Sequence, residues 1–418
     1  MKTFSLPFVV TALVALAAPL SVRAVTVSGV AFKQDLATRD VIVNYTLSGG
    51  AAYVRAEILT NGVPIEAAKS FYGDYTQDGV PKVVAEGDRT FCWRAGVDWP
   101  DHLADNIQVR VSAYPTNELA SIFKYVIVDL SGGSGAASYP INFCNTLPDG
   151  ALDANGKWTD AYMTSNLVLK SVAPGTLQND GTGQNKTAYS VTVTKPYYLG
   201  VFEVTQTQYA NVMNTWPAAF VLDRTYRPVE NVSYNTIRGS STGAGWPANG
   251  AVDDSSFMGK LRTKTGGFRF DLPTHAQWEY ACRADTSTDL HSGKNCAYWD
   301  TKAVGHCWDG DWNNSGAPNG GRDKPPKGTR EVGDLQVNAF GFYDMIGNVG
   351  EWALDWYGDP ATYYYGLTDP VGPTSGSNRC VCGGSFGVDF NACRSSALSS
   401  SGPGVINWAV GFRVAIQP

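Results

Sequence analysis

Cysteine is the residue type on which chemistry in this chain turns. Cys380-Val381-Cys382 places two thiols at i and i+2, which in a strand point to one face. Two thiols so placed can converge on a soft metal ion or on a substrate thiol. Alternatively each pairs elsewhere, with Cys282, Cys296, Cys307 or Cys393. A bond between Cys380 and Cys382 themselves fits poorly with the Cα separation and dihedral of a disulfide. A different chemistry is offered by Asn338-Ala-Phe-Gly-Phe-Tyr-Asp-Met-Ile-Gly-Asn-Val-Gly-Glu-Trp352, which is crowded with aromatics, glycines and polar groups. Asn348, the Val349 carbonyl and Glu351 can supply oxygen ligands to a hard cation such as calcium. The alternative is a glycine-rich turn held by side-chain-to-backbone hydrogen bonds.

Other catalytic sets are thin. The histidines, His102, His275, His291 and His306, form no two-histidine metal spacing, and His275 reads as an exposed helix residue. His306-Cys307-Trp308-Asp309-Gly310-Asp311 mixes ligands of different hardness and makes a weak zinc motif. No nucleophile elbow, P-loop or dinucleotide-binding pattern occurs. Trp299, Trp308, Trp312, Trp356, Tyr363, Tyr364 and Tyr365 lie in or near loops, where aromatic rings either pack the loops or form a binding surface.

Several segments resemble the formylglycine-generating enzyme family, also called sulfatase-modifying factor. Residues 338–352 are similar to its Asn-Ala-Phe-Gly-Leu-Tyr-Asp-Met-x-Gly-Asn-Val-Trp-Glu-Trp signature, with Gly350 where the first tryptophan stands. Tyr197–Thr205, Arg227–Ser233, Phe270–Arg283, Gly383–Phe386 and Val410–Val414 resemble further family segments, in the family's order. The resemblance spans roughly residues 160–418. It implies an α+β, C-type-lectin-like fold with little regular secondary structure. It also implies a structural calcium at Asn348, Val349 and Glu351. The family's activity is oxidation of a sulfatase cysteine to formylglycine with dioxygen and Cu(I) held by two cysteines. Val388 stands where the first of those cysteines would be, and Cys393 has the spacing of the second. Cys393-Arg394-Ser395-Ser396-Ala397 is also similar to members with a shortened loop, in which this cysteine is not catalytic. The expectation is a member without the copper pair, acting as a binding or accessory module for a protein or carbohydrate ligand. An oxidase using Cys393 with Cys380 or Cys382 is the alternative, and copper belongs only to that one.

The elements that must position these residues follow from pattern. Residues 1–24 read as a signal peptide: Lys2, an apolar run Phe8–Leu20, and Val22-Arg23-Ala24. Its removal takes the formal charge from −6 to −8 through loss of Lys2 and Arg23. The mature chain is therefore expected in a periplasm, at a cell surface or outside the cell. Acidity without basic clusters argues against nucleic acid, and no later run is long enough to span a membrane. Eight cysteines in an exported chain allow up to four disulfides. Residues 25–130 alternate as short strands, with turns at Gly49-Gly50 and Asn61-Gly62, and predict an all-β immunoglobulin- or fibronectin-like sandwich. Residues 131–160, opening with Ser131–Ser138, form a linker before the domain at 161–418. There, Thr205-x-x-Gln208 and Thr274-x-x-Gln277 are capping boxes that open helices, and a third helix is expected over Asp254–Arg262.

Overall fold

The computed structural model describes residues 25–100, 102, 106–184, 186–222, 224–240, 250–308 and 328–417. The signal peptide expected at residues 1–24, Trp312 and the acidic end of the zinc motif, Asp309 and Asp311, lie outside these residues. Two compact units are present, one built on the chain up to Phe123 with Phe143–Asn145, the other on Lys124–Asn142 and Thr146 onward.

Alternating apolar residues build the first unit. Val41, Val43, Tyr45 and Leu47 point inward from Val41–Ser48, while the residues between them stay more open. This strand lies between Thr26–Gln34 and Gly87–Trp93 in an antiparallel sheet completed by Phe71–Gly73. A second sheet runs Val63–Pro64, Ala52–Thr60, Ile107–Pro115. Asn61 and Gly62, at φ 51° and 79°, form the turn between its first two strands. Val54, Ile58, Val109 and Val111 share one apolar cluster with the first sheet's inward residues.

Tyr125–Asp129, expected in the first domain, is instead a strand of the second unit, paired antiparallel with Asn166–Val172. The small-residue stretch after it is fastened to the same unit. Lys264 donates to the Ser134 carbonyl at 2.6 Å, and the Tyr139 N–H donates to the Lys264 carbonyl at 2.7 Å.

The second unit is mostly β with a few short helices. One sheet runs Phe270–Asp271, Ala415–Ile416, Tyr197–Gly200, Asn166–Val172, Tyr125–Asp129. Another runs Leu398–Ser401, Arg379–Cys382, Gly350–Trp356, Val410–Gly411. Both capping boxes form: Thr205 opens the helix Gln206–Met213, and Thr274 opens His275–Arg283. The weaker helix is Phe257–Lys264, starting later than expected because the Ser256 hydroxyl caps it. His275–Arg283 is buried on every side, which corrects the expectation for His275. Its ring is only 6% exposed and stacks on Tyr364 at 4.1 Å.

Candidate functional site

The signature segment folds inward. Asn338 opens it by bonding in two directions. Its side-chain N–H donates to the Ala281 carbonyl at 2.7 Å, and its oxygen accepts the N–H groups of Phe340 and Phe342. Asn348 adopts φ 50°, a left-handed conformation that asparagine tolerates better than most residues. Its amide donates to Glu203 Oε2 at 2.6 Å and its oxygen accepts the Arg330 N–H at 2.9 Å. The Val349 N–H donates to the other Glu203 oxygen at 3.1 Å.

Glu351 is fully committed to protein partners. Arg413 reaches it with two nitrogens, Nη2 to Oε1 at 2.9 Å and Nε to Oε2 at 3.1 Å. The Trp278 indole donates to Oε2 at 2.8 Å. The remaining Arg413 donors go to the carbonyls of Gly200, Val201 and Tyr343. Around this single guanidinium lie three buried carboxyls, Glu203, Asp344 and Glu351. Burial first, then the neighbouring Asp344 and Glu351, pushes the Glu203 carboxyl far above its ordinary range. Burial raises Asp344 to about 6.

The missing first tryptophan has a geometric counterpart. A side chain at Gly350 would begin 2.9 Å from Val381 Cγ1, so Val381 fills the space that an indole would need.

The thiols named from sequence fall into two states. Cys393 is disulfide-bonded to Cys307, with Cα atoms 6.5 Å apart. Cys380 and Cys382 are free and buried in the core of the second unit. Burial pushes both thiols well above the ordinary range. Val388 is half-buried, and its carbonyl accepts the Trp308 N–H at 2.9 Å. The Gly383–Gly384 turn packs tightly on the disulfide: a side chain at Gly384, at φ 74°, would begin 2.9 Å from Cys393 Sγ.

Beside this turn is an aromatic group that the sequence did not single out. Phe386 meets Phe220 edge-on at 5.2 Å and Trp408 at 5.2 Å, and Phe220 meets Trp408 at 6.2 Å. His306 stacks on Phe386 at 6.3 Å and, kept neutral by burial that lowers it to about 4, donates through Nε2 to the Gly328 carbonyl. Asn231 ties two loops together, its N–H donating to the Asn407 carbonyl and its amide to that of Pro217. Those loops carry the exposed apolar residues Trp216, Val221, Leu222, Val405, Ile406 and Trp408, the last 45% exposed. The only sequence signal for this face was apolar side chains in a Gly/Pro-rich loop, at Gly402–Trp408. Among the aromatics named from sequence, Trp299 and Tyr363 are exposed, whereas Tyr364 is buried and donates to Glu279 at 2.6 Å.

These features define a loop-rich, mostly β domain with a buried arginine–carboxylate centre and a disulfide under a Gly-Gly-Ser turn. Residues 161–418 match the sulfatase-modifying factor enzyme 1-like domain, and the chain belongs to that family. It is 30% identical over 205 residues to the formylglycine-generating enzyme of Mus musculus, covering 48% of this chain and 46% of that one. It is 31% identical to chaperone protein LppX of Paenibacillus barcinonensis, covering 40% and 64%. The enzyme from Streptomyces coelicolor is 32% identical, covering 34% and 46%. The chain thus spans about half to two thirds of the length of these relatives. Among solved structures, Treponema denticola variable protein 1 aligns with TM-score 0.46 and 26% identity, over 60% of this chain and 96% of that one. Among the described residues, no helix is long and apolar enough to cross a membrane.

Proposed function

We propose that this is an exported member of the family that has lost the copper cysteine pair and acts as a binding or accessory module. The observation that carries the proposal is at the Gly-Gly-Ser turn. Val388 offers no donor atom, and the sulfur of Cys393 is bonded to Cys307. Linear Cu(I) ligation needs two thiolates, so these residues do not fit the ion. The exposed Trp408 with Phe386 and Phe220 behind it is the binding face, and its ligand is a protein or a carbohydrate. In the same proposal the first unit is an immunoglobulin- or fibronectin-like sandwich serving attachment or partner contact, and the second is C-type-lectin-like. Asn348, Val349 and Glu351 serve as structural residues here, because Glu351 already faces a guanidinium and an indole.

Anaerobic Cu(I) titration of the purified mature chain is the test, alongside an assay on a sulfatase-derived cysteine peptide. The expected result is no tight one-to-one binding and no oxidation. Tight binding abolished by Cys393→Ser would overturn the proposal and favour the oxidase. The binding face is tested by glycan-array and protein-capture screens in which Trp408→Ala removes any ligand found with the wild type. Ligands retained by Trp408→Ala would place the face elsewhere.

A further inference from the structure

Three cysteines of the second unit meet at one place. The thiol of Cys296 donates to the backbone carbonyl of Cys393 at 3.7 Å, beside the Cys307–Cys393 disulfide. Cys282, Cys380 and Cys382 are fully buried, whereas Cys296 is half-buried. Asp289 holds the converging segments: its carboxylate accepts the Cys296 N–H at 3.1 Å, and its carbonyl accepts the Ser395 N–H at 2.8 Å. Lys302, in the helix Tyr298–Val304, donates to the Cys307 carbonyl at 3.1 Å and fixes the third segment. The Thr301 hydroxyl is fully buried, has no hydrogen-bond partner among the described residues, and lies near Cys296.

We propose that Cys296, Cys307 and Cys393 form a thiol–disulfide exchange centre. The Cys296 thiolate attacks Cys393 Sγ, a Cys296–Cys393 bond forms, and the Cys307–Cys393 bond breaks. The electron pair leaves on Cys307, which takes up a proton equivalent to the one Cys296 lost. Two sulfurs are bonded before and after, so no external oxidant or reductant is required. The product carries a free thiol at Cys307, between His306 and the Trp308 whose N–H holds Val388. Exchange therefore delivers a thiol to the Gly-Gly-Ser turn.

Three groups face the attacking sulfur. The Asp289 carboxylate opposes its ionisation, and the Thr301 hydroxyl and the Arg394 guanidinium favour it. Burial is the largest influence and pushes the thiol up to about 12. Because only the thiolate attacks, the exchange rate should rise about tenfold per pH unit from 7 to 10 without levelling.

The test is disulfide mapping of the oxidised mature chain by non-reducing peptide mass spectrometry, with iodoacetamide trapping after incubation at pH 7, 8, 9 and 10. The expected result is a Cys296–Cys393 peptide with label on Cys307, growing with pH and absent in Cys296→Ser. A wild-type map holding only Cys307–Cys393 at every pH would overturn the proposal. Folded Cys307→Ser, oxidised in a glutathione buffer, should form Cys296–Cys393 in most molecules. If both sulfurs stay open to alkylation while the protein remains folded, the proposal also fails.

Discussion

Arg413 and Glu351 meet at 2.9 Å with neither reaching solvent, and they join the segment Val410–Val414 to the signature segment. Sixty-two residues separate them, and among the described residues neither forms another ion pair. Breaking such a pair strands a buried ion. Arg413→Met should therefore cost about 3–5 kcal/mol, read by urea unfolding. The double variant Arg413→Met/Glu351→Leu should recover a large part of that loss. A double variant no more stable than the single one would show that the arginine acts through its carbonyl contacts.

Gly347 has φ 79°, and a side chain there would begin 2.4 Å from the His306 carbonyl oxygen. That oxygen also accepts the Asn348 N–H at 2.8 Å. Gly347→Ala must therefore push apart two backbones that cannot yield, at about 2–4 kcal/mol. Thermal unfolding of the variant checks this; a loss under about 0.5 kcal/mol would mean that the turn relaxes.

Glu230 is fully buried, and burial raises its carboxyl to about 7 against the pull of the Phe220 and Ala219 N–H groups. Among the described residues its Oε2 has no hydrogen-bond partner. A carboxyl raised above its unfolded value, near 4.3, contributes stability that is complete below pH ~4 and is lost as pH rises through about 7. Glu230→Gln should thus gain on the wild type, on the order of 2 kcal/mol, between pH 5 and pH 8. Parallel unfolding curves at the two pH values would mean that the carboxyl ionises freely in the fold.

Chelation should leave the domain in place. With Glu351 neutralised by Arg413 and Asn348 bonded to Glu203, excess EDTA should shift the melting temperature by less than about 2 °C, which for a domain of this size is below about 1 kcal/mol. A drop several times larger, restored by calcium, would show that oxygen ligands in this segment hold an ion.

Much of the scaffold could be read in the sequence because its causes are local. Alternation in Val41–Ser48, the Asn61-Gly62 turn and the capping boxes at Thr205 and Thr274 each act within a few residues, and each formed as expected. The family expected from those segments is the one whose domain matches residues 161–418. Tertiary structure decided what those segments touch. Nothing near Glu351 in sequence shows that its partner is Arg413 rather than a cation, and nothing near Cys393 selects Cys307 over six other cysteines. The exposed face at Trp408 arises because Asn231 draws together loops far apart in the chain. His275 shows the same limit from the other side: a polar residue at a helix start reads as exposed, yet Tyr364, nearly ninety residues on, covers it. Periodicity and caps fix elements, whereas burial, ion pairing and disulfide choice depend on which elements close over one another.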